Sequence, residues 1–512
     1  MILSWNDLFA MAPHTILIVG GLGILVSQMV LKSGRARIAW QLTVLTLSAA
    51  IIIVTVGLRD VQGVATLLPR AFLGVDPVAA VGGSFRYSGF SANAILLFLV
   101  LALATVLFMR QLMPALELNF PENYFFILMS VTGYSYAICA EDLISLFVGI
   151  ELGSLPILVL LGINRKDKAT NEAALKYLLL SAFAMAFLLL GIALIYGATG
   201  TVKFRDIKEI GPHFLKIRVM TLAFTFLLAG FFFKLAAFPL HSYVADVYEG
   251  STSIFAGLLA SLSKAAAVLV LLKVYYGLHD GFRPYLVPVL TVAAIGSILY
   301  GSFAALATRN LKRILAYSSI GHAGFMLCFF IIPAGTEAGL LGPLKQEAGS
   351  ALYIYAVTYT FASLLAFATI AFIERGLPEN TAVTLDTLQG LYTRDRLAAL
   401  ALGIAMLSFM GMPPLAGFMA KFFLFKYLAF SNNLLLAAAA AAGSAISVYA
   451  YIRVLRPLFF SDGETAAENT RTVARRDAAQ VAMAFLLVVL CFFAAFSAFL
   501  YNTGITAMQK IY

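Results

Sequence analysis

Glu151, Lys176, Lys234, Lys264 and Lys421 stand in five separate stretches built otherwise from Leu, Phe, Ala, Ile and Val. Glu151 lies in SLFVGIELGSLPILVLL, Lys234 in FFFKLAAFPLHSYVADVYEG and Lys421 in PPLAGFMAKFFLF. An ionised group in apolar surroundings either finds a partner or trades its proton. One pair can staple two helices. Proton acceptors on five apolar segments are what a proton relay or an ion path through a bilayer requires. His322, in NLKRILAYSSIGHAGF, extends the set, because imidazole shuttles protons near neutral pH. Its bland alternative is a hydrogen-bonded core residue beside Ser318 and Ser319. Lys312 and Arg313 mark the entrance of the same segment, with His322 two to three turns further in. Lys273 and Lys426 lie near segment ends, where snorkelling to lipid headgroups explains them. Asp246 and Glu249 read as loop residues that guide protons or pair with a basic loop.

Prolines sit close to two of the lysines. Pro239 follows Lys234, and Pro413 and Pro414 precede Lys421. A proline removes a backbone donor and clashes with the preceding turn, so each helix should kink or open beside its lysine. Freed carbonyls and amides can line a hydrated cavity, where broken backbone is tolerated within a membrane. Two such segments, well separated along the chain, point to an internal duplication of about five helices per unit.

The elements that carry these residues follow from composition. Of 512 residues, 62% are hydrophobic and 12% charged, with a mean hydropathy of +0.93, which defines a polytopic membrane protein. The apolar runs are continuous rather than alternating, which excludes a β-barrel. Fourteen candidate helices result: 13–31, 40–58, 92–110, 122–140, 143–163, 173–197, 219–240, 252–277, 284–308, 314–333, 350–373, 397–429, 433–459 and 478–502. The twelfth is too long for one crossing and fits a helix broken at its prolines. MILSWNDLFAMAPH has no basic region before its first apolar run, so the first span is expected to remain rather than be cleaved as a signal peptide.

Connections 59–91, 374–396 and 460–477 are the longest, and the last is a polar linker ahead of the final span. Lys and Arg favour the odd-numbered connections, which places 165–168, 309–313 and 471–476 in the cytoplasm and both termini in the periplasm. The basic segment 203–218 then lies outside. The net charge of +10 therefore reports orientation and phospholipid contact, with no nucleic acid implied. Cys139, Cys328 and Cys491 fall in apolar runs without metal-ligand spacing, and GGLGILV neither follows a strand nor opens a βαβ unit. Neither a metal nor a nucleotide site is expected.

FFFKLAAFPLHSYVADVYEGSTSIFAGLLASLSK, NLKRILAYSSIGHAGFML and PPLAGFMAKFFLF together resemble the antiporter-like membrane subunits of bacterial respiratory complex I, the proton-pumping NADH-quinone oxidoreductase. Within that family the likeness is to the subunit N branch. It implies an all-α protein of fourteen transmembrane helices with two inverted five-helix repeats and discontinuous helices 7 and 12. The corresponding regions are 1–121 for helices 1–3, 122–277 and 284–459 for the repeats, and 460–512 for the linker and final helix. Glu151 matches the family's fifth-helix glutamate, Lys176, Lys234 and Lys264 the lysines of helices 6 to 8, and Lys421 the twelfth-helix lysine. Ser251, Thr252 and Ser253 depart from the family, where a proline often follows the Glu-Gly pair.

The resemblance implies a translocase subunit of the bacterial inner membrane, assembled with related antiporter-like subunits. NADH, FMN, iron-sulfur clusters and quinone belong to partner subunits, and this chain is expected to hold no cofactor or metal. Two alternatives share the same helices: a subunit of a multi-subunit cation/proton antiporter, and a structural membrane scaffold whose charges act as staples.

Overall fold

The computed structural model describes residues 11–31, 34–58, 78–80, 83–210, 217–277, 283–331, 341–378, 381–430 and 433–460. Cys491, the linker 460–477 and the span 478–502 fall outside those residues, apart from the linker's first residue. The described chain is helical, with one antiparallel hairpin of Val78–Ala80 and Phe85–Tyr87. Its long helices are α1 (Ala12–Val30), α2 (Arg35–Leu58), α3 (Gly89–Ala115), α4 (Glu122–Cys139), α5 (Leu143–Leu161), α6 (Lys168–Thr199) and α7 (Ile217–Leu235). There follow α8 (Ser253–Gly277), α9 (Arg283–Ala307), α10 (Leu311–Ile331), α11 (Leu341–Glu374), α12 (Arg396–Met410) and α13 (Leu434–Phe460). Eleven helices among the described residues are long and apolar enough to cross a membrane. The protein is an all-α polytopic membrane protein.

Burial ranks the helices. The most apolar windows of α8 and α11 are wholly buried, against 28% of that in α1, so the lysine-bearing α8 lies at the centre. Aspartates start several helices by accepting first-turn amides: Asp142 from Ser145 at 2.8 Å, Asp167 from Ala169 at 3.1 Å and Asp395 from Ala398 at 3.2 Å. Each such cap contributes about 1 kcal/mol. Small residues set the spacing of α4 and α5. A Cβ on Gly133 would stand 2.2 Å from the amide nitrogen of Gly153, so only glycine permits the approach that fixes the Glu151 helix.

Both proline-flanked segments stop early and in the same way. The span expected over 219–240 ends at Leu235, and a short helix, Val244–Gly250, follows a turn. The amide of Ala237 bonds the Phe232 carbonyl at 2.7 Å and that of Ala236 the Phe233 carbonyl at 2.9 Å. After α12 the amide of Met412 bonds the Leu407 carbonyl at 3.1 Å and that of Gly411 the Ser408 carbonyl at 3.0 Å, and helix resumes over Ala416–Phe430. These are paired Schellman closures with a left-handed residue, Ala236 (φ 55) or Gly411 (φ 83).

Candidate functional site

Lys234 occupies the last turn of α7, where the C-terminal end of the helix dipole favours a cation. It is 5% exposed, behind the buried wall of Phe231, Phe232 and Phe233. Its Nζ stands 3.6 Å from Glu151 Oε1 on α5 and donates to Ser181 Oγ on α6 at 3.2 Å. Glu151 Oε1 is buried and has no hydrogen-bond partner. Tyr243 OH donates to the Phe233 carbonyl at 2.9 Å, and the Phe238 amide donates to Ser297 Oγ on α9 at 2.8 Å. The turn after Lys234 is thereby tied both to its own helix and to a neighbour.

Lys264 follows a π-helical turn, Leu259–Ser263, a distortion that re-aims a side chain and recurs at functional sites. Its Nζ donates to the Ser319 carbonyl at 2.8 Å and to Ser319 Oγ. It also faces the ring of Tyr359 at 5.3 Å, and the His322 ring lies 5.1 Å from that same ring. His322 Nδ1 bonds Tyr355 OH at 2.8 Å and Nε2 meets Tyr451 OH at 3.2 Å. Tyr451 OH in turn meets Ser318 Oγ at 2.5 Å. The histidine is therefore held by two tyrosines rather than by Ser318 and Ser319 directly.

Lys421, on the helix Ala416–Phe430 that follows α12, donates to the Met410 carbonyl at 3.0 Å and to Ser444 Oγ at 3.2 Å. A small cavity shared by His322 and Lys421 also touches Thr358 and Ser408, whose buried hydroxyls have no hydrogen-bond partner. A second cavity on the other side of His322 touches Ser302, Ser318, Ser447 and Tyr451. Each has room for about one water molecule. His322 and Lys421 thus share one small cavity, and Lys264 and His322 both face the ring of Tyr359.

Lys176 does not join Glu151. Its side chain is 40% exposed and pairs with Glu172 and Asp246, each at 2.7 Å. Asp246 and Glu249 lie on the short helix Val244–Gly250 rather than in a loop, and both pair with Arg313. Lys312 pairs with Glu374 at 2.9 Å and donates to the Ser251 carbonyl at 3.0 Å, while Ser253 Oγ donates to Glu374 at 2.6 Å. Of this Ser-Thr-Ser stretch, Ser253 gives the pair a side-chain partner, whereas Ser251 gives only its backbone carbonyl, which a proline there would also offer. Lys273 is not a snorkelling lysine: it pairs with Glu141 at 3.0 Å and donates to the carbonyls of Ile138 and Ala140. Lys426 reaches Glu347 at 3.8 Å, with Tyr427 OH donating to the same carboxylate at 3.1 Å.

Sequence reasoning missed Glu141, Glu347 and Glu374, each of which holds a lysine. They lie at or near the ends of apolar runs, where an acid reads as punctuation. The tyrosines around His322 gave no signal, because a buried tyrosine is ordinary core material. Among the described residues, no group of three or more His, Cys, Asp or Glu could hold a metal ion.

A helical membrane protein with lysines buried beside interrupted helices defines a class, that of antiporter-like transporters and pumps. Residues 140–447 match the NADH:quinone oxidoreductase/Mrp antiporter transmembrane family, and the chain belongs to that family. It is 34% identical to NADH-quinone oxidoreductase subunit N 2 of Roseiflexus castenholzii over 89% of this chain and 93% of that one. Among solved structures it resembles a chain of respiratory complex I from Thermus thermophilus, with 30% identity, a TM-score of 0.75, and coverage of 95% of this chain and 98% of that chain. A chain of the Mrp complex from Dietzia shares the fold, with a TM-score of 0.80 at 20% identity over 99% of this chain and 98% of that one.

Proposed function

We propose that this chain is a proton-translocating membrane subunit of a bacterial NADH:quinone oxidoreductase, driven by electron transfer in partner subunits that hold NADH, FMN, iron-sulfur clusters and quinone. One observation carries the reading: buried Lys234 stands 3.6 Å from Glu151 Oε1, an oxygen that is itself buried and makes no hydrogen bond although the Glu151 side chain is 22% exposed. At that range the Coulomb attraction is about 4 kcal/mol for an effective dielectric near 20. Moving the two apart changes a proton-transfer equilibrium by a factor on the order of 10³. A displacement imposed by a neighbouring subunit would release the Lys234 proton toward Lys264, and from there past His322 to Lys421. Lys176 and Lys312, each held by carboxylates, position the flank of this path.

The finer architecture belongs to the same proposal: fourteen transmembrane helices, inverted units over 122–277 and 284–459, breaks in helices 7 and 12, and both termini in the periplasm. The matching closures at Ala236 and Gly411, each with a lysine and proline nearby, support the repeat. The partners are related antiporter-like subunits within the inner membrane. The test is Lys234→Arg in the assembled complex. Arginine keeps its proton where lysine can release one, so NADH oxidation should lose its coupled proton pumping while assembly persists. Pumping at the wild-type rate overturns the relay.

The family description also covers cation/proton antiporters. Copurification separates the two: peripheral flavin and iron-sulfur proteins accompany this chain only in the redox enzyme.

A further inference from the structure

Away from the buried lysines, a shallow open face of α2, lined by that helix alone, runs from Trp40 and Gln41 to Ile52. Small residues, Ser48 and Ala49, contribute to its lining, and Leu45 (70% exposed) and Ile52 (60% exposed) flank them. Arg110 of α3 places its guanidinium 4.5 Å over the Trp40 ring, and that ring is fixed by an Nε1 bond to the Val106 carbonyl at 3.1 Å. Arg37 precedes Gln41 by one helical turn and Val44 by two, so it caps the same face of α2. Arg37 and Arg110 are both exposed, and among the described residues neither has a carboxylate partner.

Length and chemistry agree on an occupant. From Gln41 to Ile52 this face is about 17 Å long, close to half of a roughly 30 Å hydrocarbon core. A tryptophan and two arginines at one end of an apolar face one leaflet long stand at headgroup level. Guanidinium groups bind phosphate in paired hydrogen bonds that an ammonium cannot reproduce. We propose that this face is a binding site for a phospholipid with an anionic headgroup, its phosphate held by Arg37 and Arg110 and one acyl chain lying along Leu45, Ser48 and Ile52. An apolar transmembrane helix of a partner would cover this face but leave two guanidinium groups without a counter-charge.

The test uses the whole membrane complex containing this chain, delipidated and reconstituted with phosphatidylglycerol or with phosphatidylcholine. Native mass spectrometry should show one more tightly retained phosphatidylglycerol in the wild type than in the Arg37→Gln/Arg110→Gln double variant, with at least a tenfold weaker affinity in the latter. Phosphatidylcholine should not be retained at this site. Ser48→Trp, which stands an indole on the face the acyl chain would cover and leaves both arginines in place, should lose the same lipid. A photoreactive benzoylphenylalanine in place of Ser48 should label lipid. Equal retention in wild type and both variants, equal retention of the zwitterionic lipid, or labelling of a polypeptide alone overturns the proposal.

Discussion

Lys421 Nζ donates to the carbonyl of Met410 at 3.0 Å, and Met410 is the last residue before α12 breaks. The interrupted helix leaves that carbonyl without its usual amide, and the lysine supplies the missing donor. Lys264 also bonds a carbonyl, that of Ser319 within the continuous α10. An amine donates to a carbonyl whether or not it carries its extra proton, so these two lysines can keep their places as the proton comes and goes. Lys234 differs, because its ionic partner is the Glu151 carboxylate.

Gly411 makes the Met410 contact available. Its φ is 83, and a Cβ there would meet Lys421 Cδ at 2.9 Å. Gly411→Ala should cost about 1–2 kcal/mol in backbone strain and displace the Lys421 side chain. The expected outcome is an assembled complex with pumping reduced severalfold, measured as proton uptake per NADH oxidised in proteoliposomes.

Ala236 holds the equivalent left-handed position after α7 with φ 55 and no glycine to relieve it. Ala236→Gly should leave stability unchanged or raise it by up to about 1 kcal/mol, whereas a branched residue such as Ala236→Val should lower it by more. Thermal unfolding of the detergent-solubilised complex reads the difference, and equal midpoints for the two variants would remove strain from the account.

Glu151 and Lys234 should be energetically coupled. Each single change leaves a buried partner without its counter-charge, and removing both leaves neither. Glu151→Gln with Lys234→Ala should therefore cost less than the sum, by about 0.5–3 kcal/mol in a double-mutant cycle on pumping rate. Glu151→Gln with Lys176→Ala should be additive, since Lys176 is held by Glu172 and Asp246.

Glu374→Gln removes the carboxylate that Lys312 and Ser253 share. Loss of one member of a largely buried pair typically costs about 3–5 kcal/mol, so lower assembled yield is expected. Glu374→Gln/Lys312→Met should recover much of that yield. Pumping that returns with it would make Lys312 a positioning residue; yield without pumping would place Lys312 on the proton path.

Topology is checked by labelling single cysteines in intact cells. Lys166→Cys should be shielded from an impermeant thiol reagent and Lys203→Cys should react. The reverse pattern would invert the orientation.

The sequence by itself determined that the chain lives in a membrane, roughly where its described helices run, and which of them carry charge. Hydropathy over some twenty residues is a local property, and so is the helix-ending effect of Pro239 or Pro413. The resemblance carried by three motifs added the family. Partner choice was not local. Nothing in the spacing of Glu151, Lys176 and Lys234 reveals that Lys176 turns outward to Asp246 while Lys234 turns inward to Glu151. That depends on the rotational phase of each helix, which the close approach of Gly133 to Gly153 and the turn after Leu235 help to fix. Glu374 makes the same point from the other side: an acid at the end of an apolar run gains its meaning only when packing brings Lys312 and Ser253 to it.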